Sequence, residues 1–258
     1  MRRGEVLPEG THLRIGSIWL WCVCFGVASA ADPPAGAQSA REALERLRLG
    51  NQAYVAAQFD PARNGAARRA ELAGGQHPFA TVLSCADSRV PPETIFNQGL
   101  GDLFVVRVAG AVAGQTVLGS IEYAAEHLHV PLVVVMGHSS CGAVKAAMET
   151  PPPAKPDPAG VNLERILSAI RPSLPRALSY GDQWANAVYA SVEQNIGDVI
   201  RLSPVLAEMG EAGKVILVGA FYDLNSGKVH FSEPVVFRRR SEQVSGGRSS
   251  APVSEAHR

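Results

Sequence analysis

The 258-residue sequence has no excess of either charge: 24 Lys and Arg face 24 Asp and Glu. A neutral chain lacks the basic footprint of a protein that coats nucleic acid, and no nucleic-acid partner is expected. No apolar run reaches the ~20 residues that a bilayer-spanning helix needs, which excludes a multi-span membrane protein. There is no internal repeat. Cysteine is scarce, at four residues. Core material is not scarce: 46% of residues are hydrophobic and 19% charged, which rules out wholesale disorder. The length suits one generous domain or two small ones.

Residues 1–30 read as an address. Arg2, Arg3 and Arg14 precede the apolar run Ile15 to Val27, and Ala28-Ser29-Ala30 follows as a small-x-small site. This is the pattern of a secretory signal peptide cleaved after Ala30, and it predicts a periplasmic or secreted protein with no membrane attachment after cleavage. Bulky Trp21 and Val23 precede Cys22 and Cys24, so no lipobox is present. Cleavage leaves Cys85 and Cys141 as the only cysteines.

Residues 31–38 are rich in Pro, Gly and Ala and read as a linker. Ser39 is expected to cap a helix, with Glu42 three residues on as in a capping box, and Gly50 is a weak point within that helix. A second short helix is expected over 66–73. Short apolar runs follow at 79–84, 103–108, 130–136 and 214–222, separated by helical stretches at 116–128, 140–149, 162–173 and 182–202. Continuous apolar strands alternating with helices predict an α/β fold with a central, mostly parallel sheet. Asn225-Ser226-Gly227-Lys228 predicts a hairpin turn into a short strand at 229–231. Residues 151–160 form a proline-rich loop. Residues 238–258 are polar and read as a disordered tail, which leaves 39–237 as the folded domain.

Two cysteines in an exported chain fit either a structural disulfide or a metal site. Cys85 and Cys141 each follow a buried strand, and a parallel sheet builds its sites at the carboxyl edge. His138 precedes Cys141 by three residues, a spacing that can converge on one ion. Two thiolates and an imidazole leave one tetrahedral position of zinc open, and the mature chain has no further Cys to close it. A zinc site here is therefore either catalytic or closed by an oxygen ligand. Asp87 and Arg89 fall on the same side of an extended segment as Cys85. Gly137-His138-Ser139-Ser140-Cys141 lacks the second glycine of a serine-hydrolase elbow.

In order and spacing, C-A-D-S-R (85–89), R-V-A-G (107–110), I-E-Y-A (121–124) and G-H-S-S-C-G (137–142) closely resemble a β-class carbonic anhydrase. The likeness spans about residues 40–237, from A-L-E-R-L-R-L-G-N to G-A-F-Y-D-L-N-S-G-K-V. It implies zinc-dependent reversible hydration of carbon dioxide to bicarbonate and a proton, with one Zn2+ per chain. It further implies a homodimer or homotetramer whose N-terminal helical arm embraces a partner subunit. Matching positions imply Cys85, His138 and Cys141 as zinc ligands and Asp87 with Arg89 as the catalytic dyad, Asp87 doubling as a conditional fourth ligand. Gln76, Phe104, Tyr123 and Gly142 fall where substrate contacts are expected. Relatives inhibited by bicarbonate carry a Trp three residues before the first cysteine; here that position is Val82. Arg107 is retained, but Ala111 replaces an Asn often found there. The missing Trp points to the subtype without bicarbonate-driven closure. Related zinc hydrolases of carbonyl sulfide or carbon disulfide, and a noncatalytic zinc-binding protein, are the competing readings.

Overall fold

A computed structural model describes residues 35–153, 161–235 and 237. The expected signal peptide, residues 31–34 of the expected linker, most of the proline-rich loop and the expected tail lie outside the described residues. Five strands form one sheet in the order β2-β1-β3-β4-β5: β1 (Ala80–Ser84), β2 (Leu103–Arg107), β3 (Leu132–His138), β4 (Ile216–Tyr222) and β5 (Val229–Phe231). The first four are mutually parallel and only β5 runs antiparallel, entering by the expected turn. Every residue of β1 and β3 is buried, as continuous apolar strands require.

Side-chain alternation divides the core in two. Val82, Val134, Met136 and Val218 join one cluster with α1 (Ala35–Val55), α3 (Pro92–Ile95), α5 (Gly142–Glu149) and α6 (Val161–Ile170). Leu83, Val133, Val135 and Leu217 join the other with α4 (Gln115–His127), α7 (Gln183–Leu202) and α8 (Pro204–Glu211). A short α2 (Ala66–Leu72) precedes β1. Among the described residues, no helix is long and apolar enough to cross a membrane.

Helix α1 begins at Ala35, so Ser39 lies inside it and not at its cap, and residues 35–38 are helix where a linker was expected. Ala35 and Ala37 are good helix formers and carry the helix past the serine. The helix expected to embrace a partner docks its stripe of Ala40, Ala43, Leu44 and Leu47 on its own chain's core. Gly50 is no mere weak point. A Cβ there would stand 1.9 Å from the Phe96 carbonyl oxygen, so only glycine lets α1 approach that loop. Helix α8 lies beyond the last expected helical stretch, 182–202, and begins at a proline, a residue disfavoured inside a helix. Pro204 instead occupies the first turn, and the Ser203 hydroxyl accepts the Leu206 N–H at 3.2 Å.

Candidate metal centre

The sheet delivers three donors to its carboxyl edge. Cys85 follows the last residue of β1, His138 is the last residue of β3, and Cys141 caps α5 after a two-residue turn. Ser140 in that turn holds φ at 56°, an uncommon conformation of the kind found at functional sites. All three side chains are buried, and one ligand atom from each lies within 4.8 Å of the others. Both cysteines are free thiols.

The hydrogen bonds prepare these atoms for a metal. His138 Nδ1 stands 2.9 Å from the Ser139 carbonyl, which can only accept, so Nδ1 carries the proton. The Nε2 lone pair is then available, buried and without a hydrogen-bond partner. Such an orphan in a protein interior calls for a ligand. Cys85 Sγ accepts the N–H groups of Asp87 at 3.4 Å and Gly110 at 3.3 Å. Gly110 reaches it from a left-handed backbone, φ 71°. The Cys85 thiol is pushed down to about 4, chiefly by a hydrogen bond with Cys141 and further by His138 and the two N–H groups, with burial opposing. Cys141 is pushed up by its bond with Cys85 and by burial, with the Val144 and Ala143 N–H groups opposing. Two thiols and a neutral imidazole are the donor set that zinc selects, and the residues fit it.

Beside the cluster, Arg89 grips Asp87 with Nε at 2.9 Å from Oδ1 and Nη2 at 2.7 Å from Oδ2. This clamp holds the Asp87 carboxyl well below the usual carboxylate range, against a burial penalty. Asp87 Oδ2 also stands 3.9 Å from His138 Nε2, so the ionised carboxylate borders the donor cluster while remaining with Arg89. Gly142 opens α5 next to Cys141, exposed at the rim.

Three expected substrate residues are elsewhere in the chain. Gln76 is exposed and precedes β1. Phe104 pairs in register with Thr81, near the start of β1 and at the opposite end from Cys85. Tyr123, 48% exposed on α4, has its ring 6.2 Å from that of Phe104. The fold joins Phe104 to Tyr123 but brings neither to the cysteines of its own chain. Conversely, three residues without an expected role support the site. Trp184 Nε1 donates to the Cys141 carbonyl at 3.0 Å, the Ser139 hydroxyl accepts the Leu224 N–H at 2.8 Å, and Arg107 bonds the Cys85 carbonyl at 3.0 Å. The glycine in R-V-A-G was a usable signal for the Gly110 contact; nothing local marks Trp184, which lies 43 residues from its partner.

Comparison with known proteins agrees with this geometry. The family model described as carbonic anhydrase matches residues 80–229, which hold all three donors and the Asp87–Arg89 pair. "Carbonic anhydrase 2" of Mycobacterium tuberculosis is 39% identical over 188 residues, covering 72% of this chain and 89% of that protein. The carbonic anhydrase of Mycolicibacterium smegmatis is 40% identical over 189 residues, covering 72% and 90%. Among solved structures, a tetrameric β-carbonic anhydrase of Sordaria macrospora has a TM-score of 0.55 at 26% identity, covering 65% of this chain and 87% of that one. The Coccomyxa β-carbonic anhydrase has a TM-score of 0.58 at 24% identity, covering 77% and 86%, and supports the fold. The chain belongs to the carbonic anhydrase family, in its β-class.

Proposed function

We propose that the protein catalyses the reversible hydration of carbon dioxide to bicarbonate and a proton, with one zinc ion per chain held by Cys85, His138 and Cys141. The observation that carries this reading is the buried Cys–His–Cys cluster, with its unpartnered His138 Nε2, bordered by an ionised carboxylate. Zinc in such a donor set supplies the Lewis acidity that brings the ionisation of water toward neutral pH. The chain's own residues do the rest. Two thiolates offset the charge of a divalent ion, so activity is expected to favour alkaline pH. Ionised Asp87 can only accept a hydrogen bond. It therefore accepts a hydrogen bond from the attacking oxygen species, stays ionised itself, and leaves that oxygen's lone pair facing carbon dioxide. Arg89 keeps both Asp87 oxygens occupied and so keeps Asp87 out of the ligand set.

Gln76, Phe104 and Tyr123 serve the substrate side only if a second chain presents them, because in one chain they sit at the far end of the sheet. The protein is accordingly read as a homo-oligomer, dimer or tetramer. The half-exposed Tyr123 and the exposed Leu49 and Phe59, at 56% each, are apolar surface available to such an interface. Residues 1–30 are read as a cleaved export signal, placing the enzyme in the periplasm or outside the cell. N-terminal sequencing of the exported protein should begin at Ala31; intact Met1 in a membrane fraction would contradict cleavage.

The activity is tested by assaying purified protein of measured zinc content against carbon dioxide and carbonyl sulfide in parallel. Carbon dioxide hydration well above any carbonyl sulfide hydrolysis is expected. Zinc-loaded protein inert toward carbon dioxide would overturn the reading.

A further inference from the structure

Arg107 ends β2 on the edge of the sheet, in register with Ser84. Beyond it the parallel ladder continues: Val108 N–H donates to the Ser84 carbonyl at 3.1 Å and Ala86 N–H to the Val108 carbonyl at 3.2 Å. The Arg107 side chain turns onto the same loop. Its Nε donates to the Cys85 carbonyl at 3.0 Å and its Nη2 to the Asp87 carbonyl at 2.5 Å. The 85–86 peptide is thereby held at both polar atoms, its carbonyl by Arg107 and its N–H by Val108. The Asp87 N–H is committed to Cys85 Sγ, and the Asp87 carbonyl also accepts the Val90 N–H at 3.1 Å. Among the described residues, no other side chain bonds the carbonyls of both 85 and 87.

We propose that Arg107 is a positioning residue: one guanidinium fixes the main chain between the first metal-ligating cysteine and the acid of the dyad, and so sets where the Asp87 carboxylate stands relative to Cys85 Sγ. The inference rests on the catalytic reading above. Arg107 acts through the backbone, since its hydrogen bonds go to carbonyl oxygens and not to a thiol or to the Asp87 carboxylate. The planar fork of arginine explains the residue type. Its donors keep a fixed separation and can serve two carbonyls at once, whereas a lysine ammonium is a point donor on a flexible stem. Side chains that orient a metal's ligands without touching the metal typically change affinity or activity about 10–100-fold when removed.

The test uses the full chain as wild type, Arg107→Ala and Arg107→Lys, each checked for fold by far-UV circular dichroism. Four quantities are read: the visible spectrum of the cobalt(II)-substituted protein, zinc retained against a fixed chelator concentration, and kcat and KM for carbon dioxide. Arg107→Ala should shift the thiolate–cobalt bands, lower kcat about 10-fold or more and leave KM near the wild-type value. Arg107→Lys, with the charge kept, should recover only part of the loss. A wild-type cobalt spectrum and kcat in Arg107→Ala would overturn the proposal, as would full rescue by lysine. If Arg107→Ala fails to fold, a folded Arg107→Lys decides alone: a shifted spectrum with lowered kcat supports the assignment, and wild-type values refute it. Should the wild type bind metal without hydrating carbon dioxide, the catalytic reading falls, while the cobalt spectra still decide the role of Arg107.

Discussion

Arg89 meets Asp87 two-pronged, Nε to one carboxylate oxygen at 2.9 Å and Nη2 to the other at 2.7 Å. The pair is only two residues apart, and the Arg89 N–H adds a third bond to Oδ1 at 3.0 Å. The Arg89 side chain is 53% exposed and the Asp87 side chain 17%, so the carboxylate faces the site while its clamp faces solvent.

Removing either partner should impair turnover without releasing the metal, because neither is one of the three clustered donors. For Asp87→Ala and Arg89→Ala a loss of about 10²-fold or more is expected, the scale on which displaced catalytic groups act. Stopped-flow hydration with metal analysis of the same samples checks this. Wild-type turnover in either variant would remove the dyad from the mechanism.

The same clamp sets a pH expectation. A carboxylate is ionised above its pKa, and Arg89 holds that of Asp87 below the ordinary range of about 3.9. Asp87 should therefore stay ionised at every pH where the protein is assayed, and activity should rise toward alkaline pH through another ionisation. A profile of kcat from pH 5 to 9 should show no carboxylate step at its acid end in the wild type. An acid limb abolished by Asp87→Asn would contradict the assignment.

Much of this was legible because it is written locally. Four apolar runs and the hairpin turn mark the five strands, and C-x-D-x-R with H-x-x-C marks donors that the parallel sheet carries to one edge. What was not legible depends on tertiary neighbours. Pro204 starts a helix because Ser203 caps it. Ala111, noted only as a departure, occupies a left-handed conformation, φ 54°, that asparagine tolerates better than alanine. The contacts of Arg107 and Trp184 with the metal loops cross long stretches of chain. Gln76, Phe104 and Tyr123 could be named from motif positions, but position in sequence does not say which chain they serve.

Gly50 offers a test of the fold itself. Gly50→Ala would drive a methyl group into the Phe96 carbonyl, at 1.9 Å before relaxation. Helix α1 must then lift from its seat, at a cost of about 1–3 kcal/mol, the range for overpacked sites. Urea denaturation should show the lower midpoint. A variant as stable as wild type would mean that α1 does not pack on its own chain as described.

Bicarbonate should inhibit only weakly and without cooperativity. Val82 is fully buried and apolar, and the Arg107 guanidinium is already committed to two carbonyl oxygens. No indole N–H is available at that position to complete an anion pocket. Initial rates measured against rising bicarbonate check this, and a steep sigmoidal loss of activity would contradict it.

The central claim is that Cys85, His138 and Cys141 together hold the one metal on which catalysis depends. The most direct measurement strips the purified protein with chelator under reducing conditions and titrates zinc back while following carbon dioxide hydration. Activity should vanish on stripping and return linearly to a break at about one zinc per chain, with Cys141→Ser showing neither tight binding nor recovery. Activity that survives complete removal of metal, or returns equally in Cys141→Ser, would contradict the account.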